Sequence, residues 1–402
     1  MAEGVAGAPV RVAHLVSHPI QYFAPLYREL ATRREIELTV YFYSDASVRG
    51  YHDSEFGRDV QWDTPLLDGY RSRFAQNASR TGFEPGLGRR VHWDVVRSVL
   101  AGGYDLIWAH GYAYPTSWLA MVGARLRGIP VAIREEQTLI HGRSRRVRLL
   151  KQAALRPLFA TAWGLYIGEQ NRRYLRAYGI VERRLFPARY CVDNDLLQAA
   201  ARSLRPQRNE LRRSFGIDDD APVFLFVGKL IEKKQPLRLL DAYAKIARDS
   251  GSWLLYVGDG PLRTNLERSI DERGLAKVRM AGFLNQSAVP GAFVAADAFV
   301  LPSAFHETWG LVINDALNFG LPVVVSDKVG SAEDLVRPEW NGLVVVHDDT
   351  DALAHSLARL AKDTRLRDTF GRRGRELVKA YSIEACADGI VAAALAATGR
   401  SA

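Results

Sequence analysis

The stretch AFVLPSAFHETWGLVINDALNFGLPVVVSD, residues 298–327, decides the fold. An apolar run of strand type, AFVL, ends in Pro302-Ser303. A loop carries the chain from Phe305 to Gly310, the next residues read as a helix, and Gly320-Leu321-Pro322 turns into a second apolar run, VVVS. Strand, loop, helix and strand in so short a span make one βαβ step. The loop is thereby left at the carboxyl end of a strand, where open α/β sheets bind ligands. Working outward, the alternation recurs. APVFLFVGKL, a helix from Pro236, SWLLYVGDG, a helix, VRMAGFL and another helix precede the stretch, and GLVVV follows it. The second half is expected to be a doubly wound parallel sheet.

The first half repeats the scheme less cleanly. Val10–Ser17 reads as a strand, followed by Pro19 and by a helical pattern through Ala24, Leu26, Tyr27 and Leu30. IELTVYFYS, YDLIWAH, IPVAIRE and GLYIGE are further β-rich runs. Between about Asp45 and Arg90 no helix or strand period is sustained, so a long loop region over the sheet edge is expected there. The 402 residues exceed what one hydrophobic core usually supports. Two Rossmann-like α/β domains facing a cleft are therefore expected, with the boundary in the polar segment 200–222. The division reads as 1–205, 206–380, and a C-terminal helix over 381–402 that crosses back to the first domain.

Composition narrows the classes. Apolar residues at 48% and charged residues at 25% describe a globular chain. The opening lacks the basic start and apolar core of a secretory signal, and the late IVAAALAA run is too short to cross a bilayer, so a cytoplasmic protein is expected. Cys191 and Cys386 stand in no metal-like spacing and read as buried small hydrophobes. A net charge of +9 suits an anionic ligand or surface. Nucleic acid is not expected, because no zinc finger, RNA-binding aromatic motif or heptad-linked basic region occurs.

The dinucleotide fingerprint and the P-loop spacing are both absent. Instead, Gly228-Lys229 ends the first strand of the second domain, with Lys233 and Lys234 just ahead of Pro236, and lysine tips there can clamp a diphosphate. Val257-Gly258-Asp259-Gly260-Pro261 places two glycines at the end of the next strand, where backbone can approach a ligand. Glu307 lies in the loop of the opening stretch and Asp315 on its helix. The backbone amides between them favour phosphate, and the two carboxylates can accept bonds from sugar hydroxyls.

Glu307-x-Trp309-Gly310-x4-Asp315-Ala316 followed by Gly320-Leu-Pro-Val-Val resembles the hallmark of glycosyltransferase family 4, the retaining transferases of the GT-B fold. The family pattern has Phe where Trp309 stands and Glu where Asp315 stands. The resemblance implies transfer of a sugar from a nucleoside-diphosphate sugar, UDP or GDP first, to a hydroxyl of a glycan, a lipid-linked carrier or a small natural product. Glu307 would bind donor hydroxyls, with Thr308 and the amides of Trp309, Gly310 and Leu311 on the diphosphate, and Asp315 would hold the ribose. Lys229 stands for the family's phosphate-binding arginine, without its planar fork, and Lys234 matches its lysine. Phe283 would border the base. No metal ion is expected, since no convincing Asp-x-Asp loop occurs and the family needs none.

His18-Pro19-Ile20-Gln21-Tyr22 is similar to the opening of a bacterial subgroup, which puts His18, Gln21 and Tyr22 on the acceptor side. The histidine many relatives carry after IPVAIREE is missing, and Glu135, Glu136 or His110 is left to fill its role. Glu169 resembles a cleft-edge residue. Arg143–Lys151 reads as a basic amphipathic helix able to meet anionic lipid at the inner membrane face. Two other readings stay open: a sugar-nucleotide epimerase or hydrolase of the same fold, and a silent relative that binds without turnover.

Overall fold

The computed structural model describes residues 8–80, 86, 88–142 and 144–400. They divide into two units. The first holds the chain up to Tyr51, Pro65–Tyr190 and the residues from Ile383 on, and the second holds His52–Thr64 and Cys191–Ser382.

The sheet of the first unit runs, in spatial order, Ser72–Phe74, Ile36–Phe42, Val10–Val16, Leu106–His110, Val131–Arg134, Trp163–Tyr166 and Leu185–Pro187, with every pairing parallel. The order reverses between Val10–Val16 and Leu106–His110. These two strands are buried on both faces, which is why they read as near-continuous apolar runs. The buried exception, His14, stacks on Trp108 at 3.7 Å between ring centroids and bonds to the Tyr27 hydroxyl at 3.0 Å. Burial, then the nearby His110, push its pKa well below the ordinary histidine range.

The sheet of the second unit runs Val278–Met280, Trp253–Val257, Val223–Val227, Ala298–Leu301, Val323–Ser326 and Gly342–Val345, again all parallel. Its order reverses between Val223–Val227 and Ala298–Leu301. Each sheet thus has one topological switch point, and the loops flanking it are the natural ligand positions.

Three features differ from the sequence reading. The stretch 45–90 is more than loop: it holds the short helix Ala46–Arg49, the edge strand Ser72–Phe74, and a two-stranded ribbon of Tyr51–Asp53 with Arg58–Val60. Three-residue strands are too short to show a period. The division between units falls at Tyr190 rather than in 200–222, because helix Asn194–Leu204 packs on helices Val289–Ala295 and Val312–Asn318, and Asn194 donates to the Val378 carbonyl at 3.1 Å. Within Thr364–Thr398 there is a window long and apolar enough to cross a membrane, and half of that window is buried in the protein. Its apolar face belongs to helix Ile383–Thr398, which packs on helix Ala24–Thr32 and on strands of the first unit, so the C-terminal helix does return there. Cys191 and Cys386 are both buried, and neither forms a disulfide among the described residues.

Candidate functional site

In the second unit the two loops at the switch point meet. The loop after Val223–Val227 carries Gly228, Lys229, Lys233 and Lys234, and the loop after Ala298–Leu301 carries Ser303 and Glu307. Lys234 Nζ donates to Glu307 Oε2, which also accepts from Ser303 Oγ at 3.0 Å, and Lys233 Nζ lies 3.9 Å from Glu307 Oε1. Glu307 is 5% exposed. Burial alone would raise its pKa, but the two lysines and the serine outweigh that and hold it below the usual carboxylate range. Burial also lowers the pKa of Lys233, against the pull of Glu307. The pair is fixed from behind: Gly330 N donates to Glu307 O at 2.9 Å, Ser331 Oγ to Trp309 O at 2.6 Å, and Ala304 N to Lys233 O at 2.9 Å.

Beyond Glu307 the chain enters helix Val312–Asn318. Trp309 is buried, its indole N–H donating to Asn314 Oδ1 at 2.9 Å, so its ring packs the loop. Among the described residues, the backbone amides of Gly310 and Leu311 donate to no protein acceptor. Asp315 is buried, and among the described residues neither a hydrogen bond nor an ion pair reaches its carboxylate. Burial raises its pKa to about 7. Thr308 is half-buried between Glu307 and Trp309.

Two of the expected ligand-contacting residues also meet other parts of the protein. Lys229 Nζ donates to both Asp53 oxygens at 3.0 Å and to Glu55 Oε2 at 2.7 Å, and it lies 4.8 Å from the centroid of the Phe56 ring. These partners come from the ribbon, in a region where sequence alone predicts loop. The ribbon also reaches Phe283, whose ring meets Phe56 edge-on at 5.1 Å and lies 4.7 Å from the Arg58 guanidinium. The only sequence signal for this contact was an acidic pair, Asp53 and Glu55, in a loop-like region of a chain with a lysine cluster. The second is Gly258. Its φ is 139°, and a Cβ there would sit 1.9 Å from the Gly228 carbonyl oxygen, so this glycine lets two loops touch each other. Gly260 likewise lies against the backbone of Leu230 and Glu55.

In the first unit the switch point gathers His18, His110 and Glu136. His110 ends its strand and its Nε2 stands 3.2 Å from Glu136 Oε1. Burial would raise the Glu136 pKa, but His110 and Arg134 bring it below the ordinary value. His18 Nδ1 bonds to Ser17 Oγ at 2.9 Å, and burial followed by His110 pushes its pKa to about 4, leaving it neutral. Gln21 and Tyr22 follow in a half-buried turn. Glu135 points elsewhere: its Oε1 accepts from the amides of Glu136 and Gln137, both at 3.1 Å, while burial raises its pKa to about 7. Glu169 stands apart from this group, paired with Arg172 at 3.1 Å and Arg173 at 3.5 Å on its own helix.

The family model described as glycosyl transferases group 1 matches residues 207–377, the part of the chain that carries the Lys234 and Glu307 loops. The chain is 32% identical over 185 residues to the alpha-D-kanosaminyltransferase of Streptomyces kanamyceticus, covering 45% of this chain and 47% of that one. It is 34% identical over 171 residues to the lipopolysaccharide core biosynthesis glycosyltransferase LpsE of Rhizobium meliloti, covering 42% and 48%. The matches thus span about half the length of these relatives. The crystal structure of Anabaena Alr3699/HepE in complex with UDP-glucose superposes with a TM-score of 0.70 at 17% identity, covering 96% of this chain and 99% of that one. That likeness bears on architecture: the fold is GT-B, with two Rossmann-like units.

Proposed function

We propose, taking residues 207–377 as a group 1 glycosyl transferase domain, that the protein moves a sugar from a nucleoside-diphosphate sugar, held by the second unit, to an acceptor hydroxyl held by the first. The transfer keeps the anomeric configuration. The observation that carries this reading is the buried constellation of Lys234, Glu307 and Ser303 beside the switch point of the second sheet. A carboxylate held ionised in a buried loop can accept from sugar hydroxyls, and lysine charge beside it can stabilise a departing diphosphate. Asp315 lies on the helix that follows and offers two acceptor oxygens to a ribose diol. The complex of HepE with UDP-glucose supports UDP as the first nucleotide to try. For the acceptor, His110 and Glu136 supply a hydrogen-bonded pair at the first unit's switch point.

The test is thermal stabilisation across UDP-, GDP-, ADP- and TDP-sugars. A donor at 100 times its dissociation constant contributes about 2.7 kcal/mol. A selective rise in Tm that Glu307→Ala abolishes is expected, and no rise with any nucleotide sugar would refute the assignment. Sugar released without an acceptor would instead identify a hydrolase.

The first unit is also proposed to dock on anionic lipid. Helix Arg145–Phe159 exposes Val147 at 45%, Leu149 at 55% and Leu150 at 73%, among exposed Arg145, Arg146 and Arg148. Lys151 does not join them, since its Nζ lies within 5.5 Å of the ring centroids of Tyr112, Tyr174 and Tyr178. Arg143 lies outside the described residues. Vesicles of phosphatidylglycerol and phosphatidylcholine should sediment the protein in a salt-sensitive way, and Leu149→Ser with Leu150→Ser should weaken this about tenfold. Equal sedimentation of variant and parent would exclude the helix.

A further inference from the structure

We infer that the second unit carries a separate anion site, which takes a phosphate-bearing ligand on a cluster of arginines between helix Asn194–Leu204 and helix Thr364–Val378. A cavity of about 430 Å³ opens there, and its floor includes Phe319 and Gly320, just past the end of helix Val312–Asn318. Arg202 and Arg205 enter from one side, Arg372 and Arg375 from the other, and Asp368 is the single acidic residue of the lining. This site does not rest on the donor assignment: helix Val312–Asn318 begins beside the Glu307 loop and ends at the arginines, about 10 Å further on at 1.5 Å per residue.

Among the described residues none of the four arginines forms an ion pair. Arg372 reaches only Thr369 Oγ1, at 3.5 Å, and Arg375 donates to the Phe319 carbonyl at 3.3 Å. The Arg375 guanidinium is further seated against Gly320, where a Cβ would lie 2.4 Å from its Nη2. Burial, then Arg205 and Arg202, depress its pKa, so the protein tolerates mutual repulsion among these groups. Elsewhere in the unit, Arg208 is matched with Asp297 at 2.9 Å and Arg359 with Glu339 at 2.7 Å. All four are solvent-exposed, yet they line one concave surface with a single carboxylate, an excess of positive charge that suits an external anion of more than one charge. The planar guanidinium matches phosphate oxygens in pairs. Val294 and Phe319 add apolar wall for the carbon part of such a ligand, and the volume falls in the range of small-molecule sites.

A soluble phosphate ester and a lipid headgroup share this chemistry, and the experiment separates them. The full-length Lys234→Ala/Glu307→Ala variant removes the groups proposed for the donor, and inorganic pyrophosphate and glucose 1-phosphate are titrated into it calorimetrically. Binding is expected to persist, to weaken tenfold or more in an added Arg202→Gln/Arg375→Gln pair, and to weaken several-fold with Arg372→Gln alone. Circular dichroism checks that the variants fold. In the lipid arm, phosphatidylglycerol vesicles are offered to Leu149→Ser/Leu150→Ser protein with and without the arginine pair. Arginine-dependent binding in the soluble arm alone identifies a phosphate ester, and in the vesicle arm a headgroup. Absence of binding in both arms, or binding that the arginine substitutions leave unchanged, overturns the proposal.

Discussion

Lys234→Ala is expected to lower turnover by about two to three orders of magnitude while changing donor affinity much less. The position of its charge is the reason. Lys234 Nζ is bonded to Glu307 and 15% exposed, in a loop fixed to the neighbouring loop through the Lys233 carbonyl. In the proposed reaction the departing diphosphate gains charge, so a fixed cation beside it interacts more strongly with the transition state than with the bound donor. The variant also has a structural cost, because removing one member of a buried pair leaves the other uncompensated, at about 3 kcal/mol before relaxation. Lys233 and Ser303 remain near Glu307 and reduce that cost. A double-mutant cycle with Glu307→Ala separates the two effects: the stability losses should be less than additive, while turnover stays low in every variant. Lys229→Ala should be milder in turnover, since that lysine is already neutralised by Asp53 and Glu55. If Lys234→Ala lost donor affinity by the same factor as turnover, its role would be uniform binding and the electrostatic assignment would fail.

The contrast between Lys234 and Lys229 shows how far the sequence could be read. Two parallel sheets were legible because their strands are buried on both faces, so each appears as an apolar run followed by turn chemistry. The Glu307 loop was legible because it sits between two such runs, and Lys234 because it stands just ahead of the Pro236 that starts a helix. What remained hidden depends on pairings across long separations. Lys229 and Asp53 are 176 positions apart, and nothing local marks three-residue strands as a ribbon that joins the other half of the chain. His110 and Glu136 were separate candidates; only the register placing His110 opposite Arg134 brings them together. Helix Asn194–Leu204 falls within 1–205 on sequence, because its polar surface gives no sign of which unit its one buried residue, Asn194, joins.

Asp315→Asn is expected to stabilise the ligand-free protein and to weaken nucleotide binding, both in a pH-dependent way. The carboxyl titrates near 7 in the folded chain because it is buried, against an ordinary value of 3.8. Between these limits the folded state holds the proton more firmly than the unfolded one. Stability therefore falls as pH rises through this window and levels off above 7. The asparagine variant lacks that titration, so the difference in Tm between variant and parent should be near zero at about pH 4 and grow to several degrees at about pH 8, where the shift corresponds to at most about 4 kcal/mol. Nucleotide binding moves the other way. Ribose hydroxyls that donate to the charged form lower its pKa, so affinity of the parent should rise with pH between about 5.5 and 8, by up to about tenfold. In the variant this dependence should vanish and affinity should stay at the low-pH level. Calorimetric titration of UDP at a series of pH values reads both. A pH-independent parent would mean that the carboxylate does not touch the nucleotide, and the cost of burying it would then need another explanation.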